Sequence, residues 1–276
     1  MTATLDTTWD GLPIAPDDPR GSTIVVRRRA GDDFEYLLLH RAQKGPDYAG
    51  AWAWTPPAGA RQPEEAVYPA ALRELEEEAG ITGAVLHPVD LSEGWARFMA
   101  EVPEGTPVIL HDVEHDAHQW VSAQRAGRLC RPSVVARQIP VADTIPAVAI
   151  TFAAPGGGED LATWREHRSL PDTGPLTADD HVLLIDGVPC GYARHTLIGE
   201  AVELECLIGD PEWSWRGLGP VAIWAYIRQV LLVAHPGAAW FTARPGGDVA
   251  ARRALAKAGF AADGEVFALP RAHWFG

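Results

Sequence analysis

The sequence predicts an α/β (α+β) protein built from two domains. Runs with the two-residue alternation of β-strands are interleaved with segments that have helical spacing. The chain has 276 residues, which is nearer two average domains than one. Pro140 and Pro146 bound a short joint between the halves. We therefore expect the following organisation: a lead-in at 1–21, a first domain at 22–140, a linker at 141–146 and a second domain at 147–276.

The composition is that of an acidic globular protein. Lys and Arg total 23 and Asp and Glu total 37, so the formal net charge is −14. Because no broad basic surface is expected, the sequence argues against binding to nucleic acid or to an anionic membrane. Its three cysteines are too few and too scattered for a disulfide framework or a zinc site. Residues 1–20 lack the apolar stretch of a secretory leader, so a cytoplasmic location is expected.

Periodicity predicts the elements of the first domain. Alternating runs at 22–29 and 34–40 flank a turn, which is typical of a hairpin. A helix is predicted at 63–79, because Pro63 suits a first helical turn and Gly80 suits a helix end. The other predicted elements are an aromatic loop or short strand at 52–59, strands at 84–89, 94–102, 108–112 and 118–121, and a closing helix at 133–138.

The predicted helix carries clustered carboxylates. Glu74 and Glu78 are four residues apart and share one helical face, and Glu77 lies beside them. Like charges at this spacing destabilise a helix by roughly 0.2–0.5 kcal/mol per pair, which a bound cation would offset. Carboxylate oxygens suit Mg²⁺ or Mn²⁺, and Arg73 can hold one carboxylate in place. The alternative interpretation is a solvated acidic helix face, which leaves the glycines around the helix unexplained.

The segment from Gly59 to Ile81 resembles the Nudix box. It matches the pattern Gly-x5-Glu-x7-Arg-Glu-U-x-Glu-Glu-x-Gly-U, with U aliphatic, at every fixed position. The resemblance implies an α/β/α sandwich around a mixed sheet. It also implies hydrolysis of a nucleoside diphosphate linked to another group, such as a nucleoside triphosphate, a dinucleoside polyphosphate or a nucleotide sugar. The implied roles are Mg²⁺ or Mn²⁺ ligands at Glu74, Glu77 and Glu78, an electrostatic support at Arg73, and at Glu65 either a partner behind the ligands or a further ligand.

Residues outside the box are candidates for proton transfer and substrate binding. Glu114 is favoured over Asp112 and Asp116 as a catalytic base, against the alternative of an acidic surface loop. The aromatic residues before the box could stack a base, although tryptophans more often serve packing. The candidates for substrate binding are Trp52 and Trp54 for the base and Arg41 and Lys44 for phosphates.

The second half also alternates strands and helices. Asp186-Gly187 between two alternating runs is the strongest hairpin signal in the chain. A long apolar helix follows a glycine turn. The predicted elements are strands at 147–153, 181–185, 188–194, 201–208, 238–243 and 265–269, a glycine hinge at 156–158, and helices at 159–167, 217–234 and 248–258.

The glycine turn precedes the long helix directly after a strand. Backbone N–H groups at such a helix start bind phosphate oxygens, although a tight turn alone would have the same sequence. The order of elements over 147–276 resembles the GNAT acetyltransferases, and Cys206 to Gly219 is most similar to aminoglycoside 6'-N-acetyltransferase-like members. The resemblance implies a mixed sheet flanked by helices and an acetyl-CoA cofactor. The pyrophosphate of acetyl-CoA would lie on the backbone of Arg216, Gly217, Leu218 and Gly219.

Glu205 occupies the acidic strand position of that family. By resemblance it could bind or deprotonate a cationic amine, and the alternative is a solvent-facing carboxylate on an edge strand. Three positions depart from the family pattern, namely Trp215, Asp248 and Leu255. For Asp248 a helix cap is the simpler role.

Three functional interpretations follow from the two resemblances. In the favoured one, a hydrolase of a phosphorylated nucleotide-type small molecule is joined to an N-acetyltransferase-like domain. In the second, acetyl transfer to an amine is the activity and the first domain recognises a nucleotide. In the third, the second domain is a non-catalytic scaffold.

Overall fold

The computed structural model describes residues 6–156, 161–170 and 174–276. The chain divides into two compact units, Met1–Thr144 with Ala272–Gly276 and Ile145–Arg271. Each unit contains a mixed β-sheet with helices. The predicted α/β (α+β) class is therefore confirmed. Among the described residues, no helix combines the length and the hydropathy that crossing a membrane requires.

The first unit is built on a seven-stranded sheet. Strand β1 pairs in parallel with β6 and antiparallel with β2 and β4, so the sheet is mixed. The path is β3-β2-β1-β6-β5, with β4 beside β1 and β7 beside β2. The strands are β1 (Gly21–Ala30), β2 (Asp33–Arg41), β3 (Trp54–Thr55), β4 (Ala58–Ala60), β5 (Leu86–Asp90), β6 (Ala96–Glu101) and β7 (His115–Ser122).

Helix α1 (Val67–Ala79) packs against β1 through its apolar face. It begins at Val67, so the expected start at Pro63 was wrong. The reason lies in Glu64, whose φ of 65° is incompatible with a continuous helix. Gly80 ends the helix in the left-handed conformation, as expected. Three short helices follow β7, namely α2 (Ala123–Leu129), α3 (Ser133–Ala136) and α4 (Gln138–Asp143).

Two predictions in this unit differ from the structure. The expected strand at 108–112 is irregular, because the Ile109 N–H bonds to the Ala79 carbonyl at the end of α1 instead of to a strand. The expected linker at 141–146 begins inside α4. There, Arg27 Nη1 donates to the Ala142 carbonyl, and the Tyr36 hydroxyl bonds Asp143.

The expected lead-in is also folded from residue 6. Thr7 and Pro13 form an antiparallel bridge, and the Ala15 N–H bonds to the carbonyl of Arg61 at 2.8 Å. Asp6 pairs with Arg20 at 2.6 Å. Residues 6–20 are thus part of the first unit, through contacts that the local sequence does not reveal.

The second unit is another seven-stranded sheet, in the order β13-β14-β12-β11-β10-β9-β8. Its parallel pair is β11 with β12, and the other pairs are antiparallel. The Asp186-Gly187 hairpin is confirmed, with φ of 50° and 80° at the two turn residues. The strands are β8 (Ile150–Ala153), β9 (His181–Ile185), β10 (Val188–Ile198), β11 (Ala201–Ile208), β12 (Trp240–Ala243), β13 (Ala261–Asp263) and β14 (Val266–Pro270).

The helices of this unit are α5 (Leu161–His167), α6 (Leu218–Tyr226), α7 (Leu232–Ala234) and α8 (Val249–Lys257). A π-helical turn at Ile227–Leu231 interrupts the long helix that was expected at 217–234. The predicted hinge at 156–158 and the start of the predicted helix at 159–167 lie largely outside the described residues.

The last helix is α9 (Arg271–Phe275), and the chain end Ala272–Gly276 belongs to the first unit. His273 Nδ1 is 3.1 Å from a carboxylate oxygen of Asp17. The rings of Phe275 and Tyr68 lie 6.2 Å apart between centroids. The first unit is therefore discontinuous in sequence, which the placement of its domain within 22–140 did not anticipate.

Candidate active site of the first unit

A cavity of about 690 Å³ opens in the first unit beside α1. Acidic groups from α1 line it together with basic groups at the end of β2 and just after it. Several aromatic side chains complete the lining. Its charged and aromatic lining residues include Glu74, Glu77, Glu78, Glu114, Arg41, Lys44, Arg73, Trp9, Tyr48, Trp52 and Trp95.

Arg73 joins three carboxylates at the edge of this cavity. Its Nε lies 2.8 Å from Oε1 of Glu65, and its Nη1 lies 2.8 Å from both Glu74 Oε1 and Glu77 Oε2. Burial acts to lower the pKa of Arg73, but these carboxylates outweigh it and raise that pKa above its ordinary value. Arg73 therefore stays charged and orients the carboxylates around it.

Glu65 faces Arg73 with both of its oxygens. Oε1 accepts from Arg73 Nε, and Oε2 accepts from Arg73 Nη2 at 3.0 Å and from the Gln62 N–H at 3.0 Å. Burial acts to raise the pKa of Glu65, but these donors hold it below its ordinary value. Of the two roles that the sequence left open for Glu65, this geometry favours the partner behind the ligands.

Glu74 and Glu78 are buried carboxylates of α1. Burial raises the pKa of Glu74 to about 7, although Arg73 acts in the opposite direction. Glu78 is 3% exposed and accepts the Ala58 N–H at 2.8 Å. Burial, with the charges of nearby carboxylates, raises its pKa well above the ordinary value. Two buried acids beside one cavity are costly unless a positive charge joins them.

A candidate cation site combines Glu78 with the segment before β7. Ligand atoms of Glu78, Asp112 and His115 all lie within 4.8 Å of one another. Asp112 Oδ1 also accepts the N–H groups of Glu114 at 3.0 Å and His115 at 3.2 Å, which fixes this turn. The two carboxylates suit a hard divalent cation, whereas the imidazole is a ligand that softer ions such as Zn²⁺ or Fe²⁺ prefer.

Sequence reasoning did not propose this combination. Asp112 was weighed only as a catalytic base, and His115 was not proposed for any role. The available signal was the Asp-x-x-His spacing at the start of β7. Of the expected ligands, Glu78 belongs to the described cluster, whereas Glu77 is half exposed and turned towards Arg73.

The predicted base, Glu114, lies at the cavity between two donors. Its Oε1 is 3.3 Å from Arg41 Nη1, and its Oε2 accepts the indole N–H of Trp9 at 3.0 Å. The Lys44 ammonium lies 4.9 Å from the centre of the Tyr48 ring. The two predicted phosphate-binding groups are thus beside the cavity, and Arg41 is engaged by a carboxylate.

The two tryptophans proposed for base stacking lie in different surroundings. Trp52 lines the cavity and is 47% exposed. Trp54 is not among the described lining residues, and its ring packs on His40 at 4.7 Å between centroids. Asp116, one of the two less favoured candidates for the base, is paired with His40 at 2.6 Å. The arrangement therefore favours packing for Trp54 and a structural ion pair for Asp116.

In the second unit, Glu205 is already paired. The Tyr192 hydroxyl donates to its Oε1 at 2.7 Å, and Arg165 Nη1 lies 2.9 Å from the same atom. Burial raises the pKa of Glu205, against the effects of Arg165 and Arg194. Glu203 pairs with Arg244 at 2.7 Å. Neither of the two open interpretations of Glu205 included this internal guanidinium.

The glycine turn of the second unit leads into α6. Gly217 precedes the helix with φ of 78°, and the Arg216 guanidinium lies 5.3 Å from the centre of the Trp213 ring. Leu218 is buried, and a Cβ at Gly219 would lie 3.0 Å from that of Ala254. Helix packing is therefore one reason for glycine at 219.

Asp248 caps α8, as expected for that residue. Its side chain accepts the N–H groups of Ala250 and Ala251. The same carboxylate lies 3.1 Å from Arg168 Nη2. These contacts account for Asp248 without a ligand.

Comparison with known proteins agrees with the site in the first unit. Residues 18–141 match the family model of the NUDIX domain. This part of the chain is therefore similar to Nudix domains. The asymmetrical bis(5'-nucleosyl)-tetraphosphatase of Sus scrofa is 29% identical over the matched region, which covers 39% of this chain and 81% of that protein.

Solved structures show weaker similarity. The binary complex of a C. elegans Ap4A hydrolase is 23% identical, with a TM-score of 0.35, over 44% of this chain and 92% of that one. The aminoglycoside acetyltransferase AAC(6')-Ib in complex with coenzyme A is 18% identical, with a TM-score of 0.36, over 45% of this chain and 96% of that one.

Proposed function

We propose that the first unit is a metal-dependent hydrolase that cleaves a phosphoanhydride bond in a nucleoside diphosphate derivative. The observation that carries this proposal is the pair of buried carboxylates, Glu74 and Glu78, at the cavity of a domain similar to Nudix domains. The similarity to a bis(5'-nucleosyl)-tetraphosphatase supports dinucleoside polyphosphates as the first substrates to test. Nucleoside triphosphates and nucleotide sugars are the other candidates.

The carboxylates of the site suit Mg²⁺ or Mn²⁺. Glu78, Asp112 and His115 would hold one ion, and Glu74 and Glu77 are the further ligands implied by the box. A bound divalent ion would neutralise the charge of the diphosphate and would supply a water of lowered pKa. Metal-ligating carboxylates need fixed orientation, and Arg73 provides it for Glu74 and Glu77.

Other side chains of the cavity bind substrate and move a proton. Glu114 accepts the proton of the attacking water and is held in place by Arg41 and Trp9. The Lys44 ammonium attracts the phosphate chain, and Trp52 offers an exposed ring to a base. Trp52 and Lys44 thus bind the substrate, whereas Glu114 takes part in the reaction.

The test uses the full-length protein with Mg²⁺ or Mn²⁺ and a panel of dinucleoside polyphosphates, nucleoside triphosphates and nucleotide sugars. We expect hydrolysis that a chelator abolishes, and products that identify the bond cleaved. Glu78→Gln should lose activity while keeping its fold. Glu76→Gln is the matched control, because Glu76 is exposed on the same helix and does not line the cavity. No hydrolysis of any panel member, or a full rate in chelator, would reject the proposal.

For the second unit we propose acetyl-CoA binding at the turn from Arg216 to Gly219. The parallel pair β11 and β12, joined through this turn and α6, supports it. The finer proposal is acetylation of an amine that Glu205 binds or deprotonates. It requires the Arg165 guanidinium to move away from the Glu205 carboxylate. Calorimetric titration with acetyl-CoA tests the first step, and thiol release across an amine panel tests the second. Absence of acetyl-CoA binding would favour a scaffold.

A further inference from the structure

The segment from Asp6 to Asp17 reaches the cavity from outside the matched Nudix region, which begins at residue 18. Two hydrogen bonds close its turn. The Thr8 N–H donates to the Leu12 carbonyl at 2.9 Å, and the Leu12 N–H donates to the Thr8 hydroxyl at 3.0 Å. The Ala15 bond to Arg61 and the Asp6 pair with Arg20 attach the segment to the rest of the first unit. Residues at its tip are therefore held in a defined position.

Trp9 lies at this tip and lines the cavity. Its indole N–H donates to Oε2 of Glu114 at 3.0 Å, although the two residues are 105 positions apart. Arg41 meets the other oxygen of Glu114. The two donors meet different oxygens of the carboxylate and so restrict its rotation.

Trp9 as a residue is nevertheless 61% exposed. A tryptophan that is fixed by its N–H and is largely exposed offers a ready stacking surface. The cavity below it carries phosphate-attracting and metal-binding groups, so a nucleotide would place its base near the aromatic rim. Trp52 is a second exposed indole of the same lining.

We propose that Trp9 has two functions at this site: its N–H positions Glu114, and its ring binds the nucleobase of the substrate. This inference rests on the proposed hydrolase function. It makes the segment before the Nudix region a part of the site that selects the substrate.

Two substitutions separate the functions. Trp9→Phe keeps an aromatic face and loses the N–H, so kcat should fall about 10-fold while KM stays within about twofold. Trp9→Leu keeps apolar bulk without a ring, so KM and the nucleotide Kd should also rise about 5- to 100-fold, as expected for one lost stacking contact. Trp240→Ala is the matched control, because it removes a half-exposed indole from the second unit.

The measurements are kcat and KM with diadenosine tetraphosphate and calorimetric Kd with ATP, after circular dichroism confirms the fold of each variant. An active wild type whose two Trp9 variants match it in kcat, KM and Kd would overturn the inference and leave the hydrolase proposal intact. Equal Kd values for ATP in the wild type and Trp9→Leu would overturn the stacking function alone. A wild type that neither hydrolyses nor binds any nucleotide would overturn both proposals.

Discussion

Gly59 and Glu74 are so close that a Cβ at position 59 would lie 2.0 Å from Oε2 of Glu74. The glycine therefore lets strand β4 pass directly over a buried carboxylate of α1. A side chain of any size at 59 must displace either the strand or the acid.

Gly59→Ala should accordingly impair the site more than the fold. Overpacking of this kind costs about 1–3 kcal/mol, and displacement of Glu74 should lower hydrolysis about 100-fold or more. Urea unfolding and steady-state rates measure the two effects. Gly105→Ala is the control, because a Cβ there meets nothing within 4 Å. A Gly59→Ala enzyme with wild-type rate would contradict this account of the glycine.

Arg73→Lys should lower kcat about 10- to 100-fold, even though the charge is kept. A guanidinium reaches Glu65, Glu74 and Glu77 together, whereas an ammonium is a single point donor that cannot hold the same fork geometry. Arg128→Lys, at an exposed position of α2, provides the control. Equal rates for both variants would mean that Arg73 acts through charge alone.

His40 should make the stability of the first unit depend on pH. Burial acts to lower the pKa of His40, but hydrogen bonds to the Tyr48 carbonyl and Asp116 outweigh it and raise that pKa above its ordinary value. Since the folded pKa is the higher one, the stabilisation is complete below about pH 6.5 and is lost as pH rises through the folded pKa. His40→Gln should therefore cost more stability at pH 5.5 than at pH 8.5.

Urea unfolding of wild type and His40→Gln at both pH values measures this difference. Asp116→Asn should remove much of the same pH dependence, because it removes the charged partner. A stability loss that is the same at pH 5.5 and pH 8.5 would show that the ion pair makes no net contribution.

Removal of residues 272–276 should destabilise the first unit. The loss includes the His273–Asp17 pair and the Phe275 ring beside Tyr68, and an aromatic pair alone contributes about 0.5–1.5 kcal/mol beyond its buried area. Phe275→Ala should give part of the effect. The temperature at which hydrolase activity is lost measures it. An unchanged temperature for both proteins would mean that these contacts do not stabilise the unit.

Local patterns predicted most of the strands and the acidic helix. Alternation identified β1, β2 and β11, and the fixed offsets from Gly59 to Ile81 identified the carboxylates of α1. Both signals depend on residues that are near in sequence. They do not depend on which other element packs against them.

The missed features depend on distant partners. The run at 108–112 is irregular because the Ile109 N–H bonds the Ala79 carbonyl at the end of α1. The approach of Asp112 and His115 to Glu78 and of Trp9 to Glu114 crosses tens of residues. No periodicity in one segment could report these contacts.

The position of Arg73 has a consequence for how the site changes by mutation. One guanidinium serves three acids, so removing one acid lets Arg73 move closer to the other two. Effects of single substitutions will then not sum, and pairs of variants should deviate from additivity by about 0.5–3 kcal/mol. Arg73 and its acidic partners are therefore expected to vary as one unit under selection, and a change tolerated at one position will depend on the residues at the others.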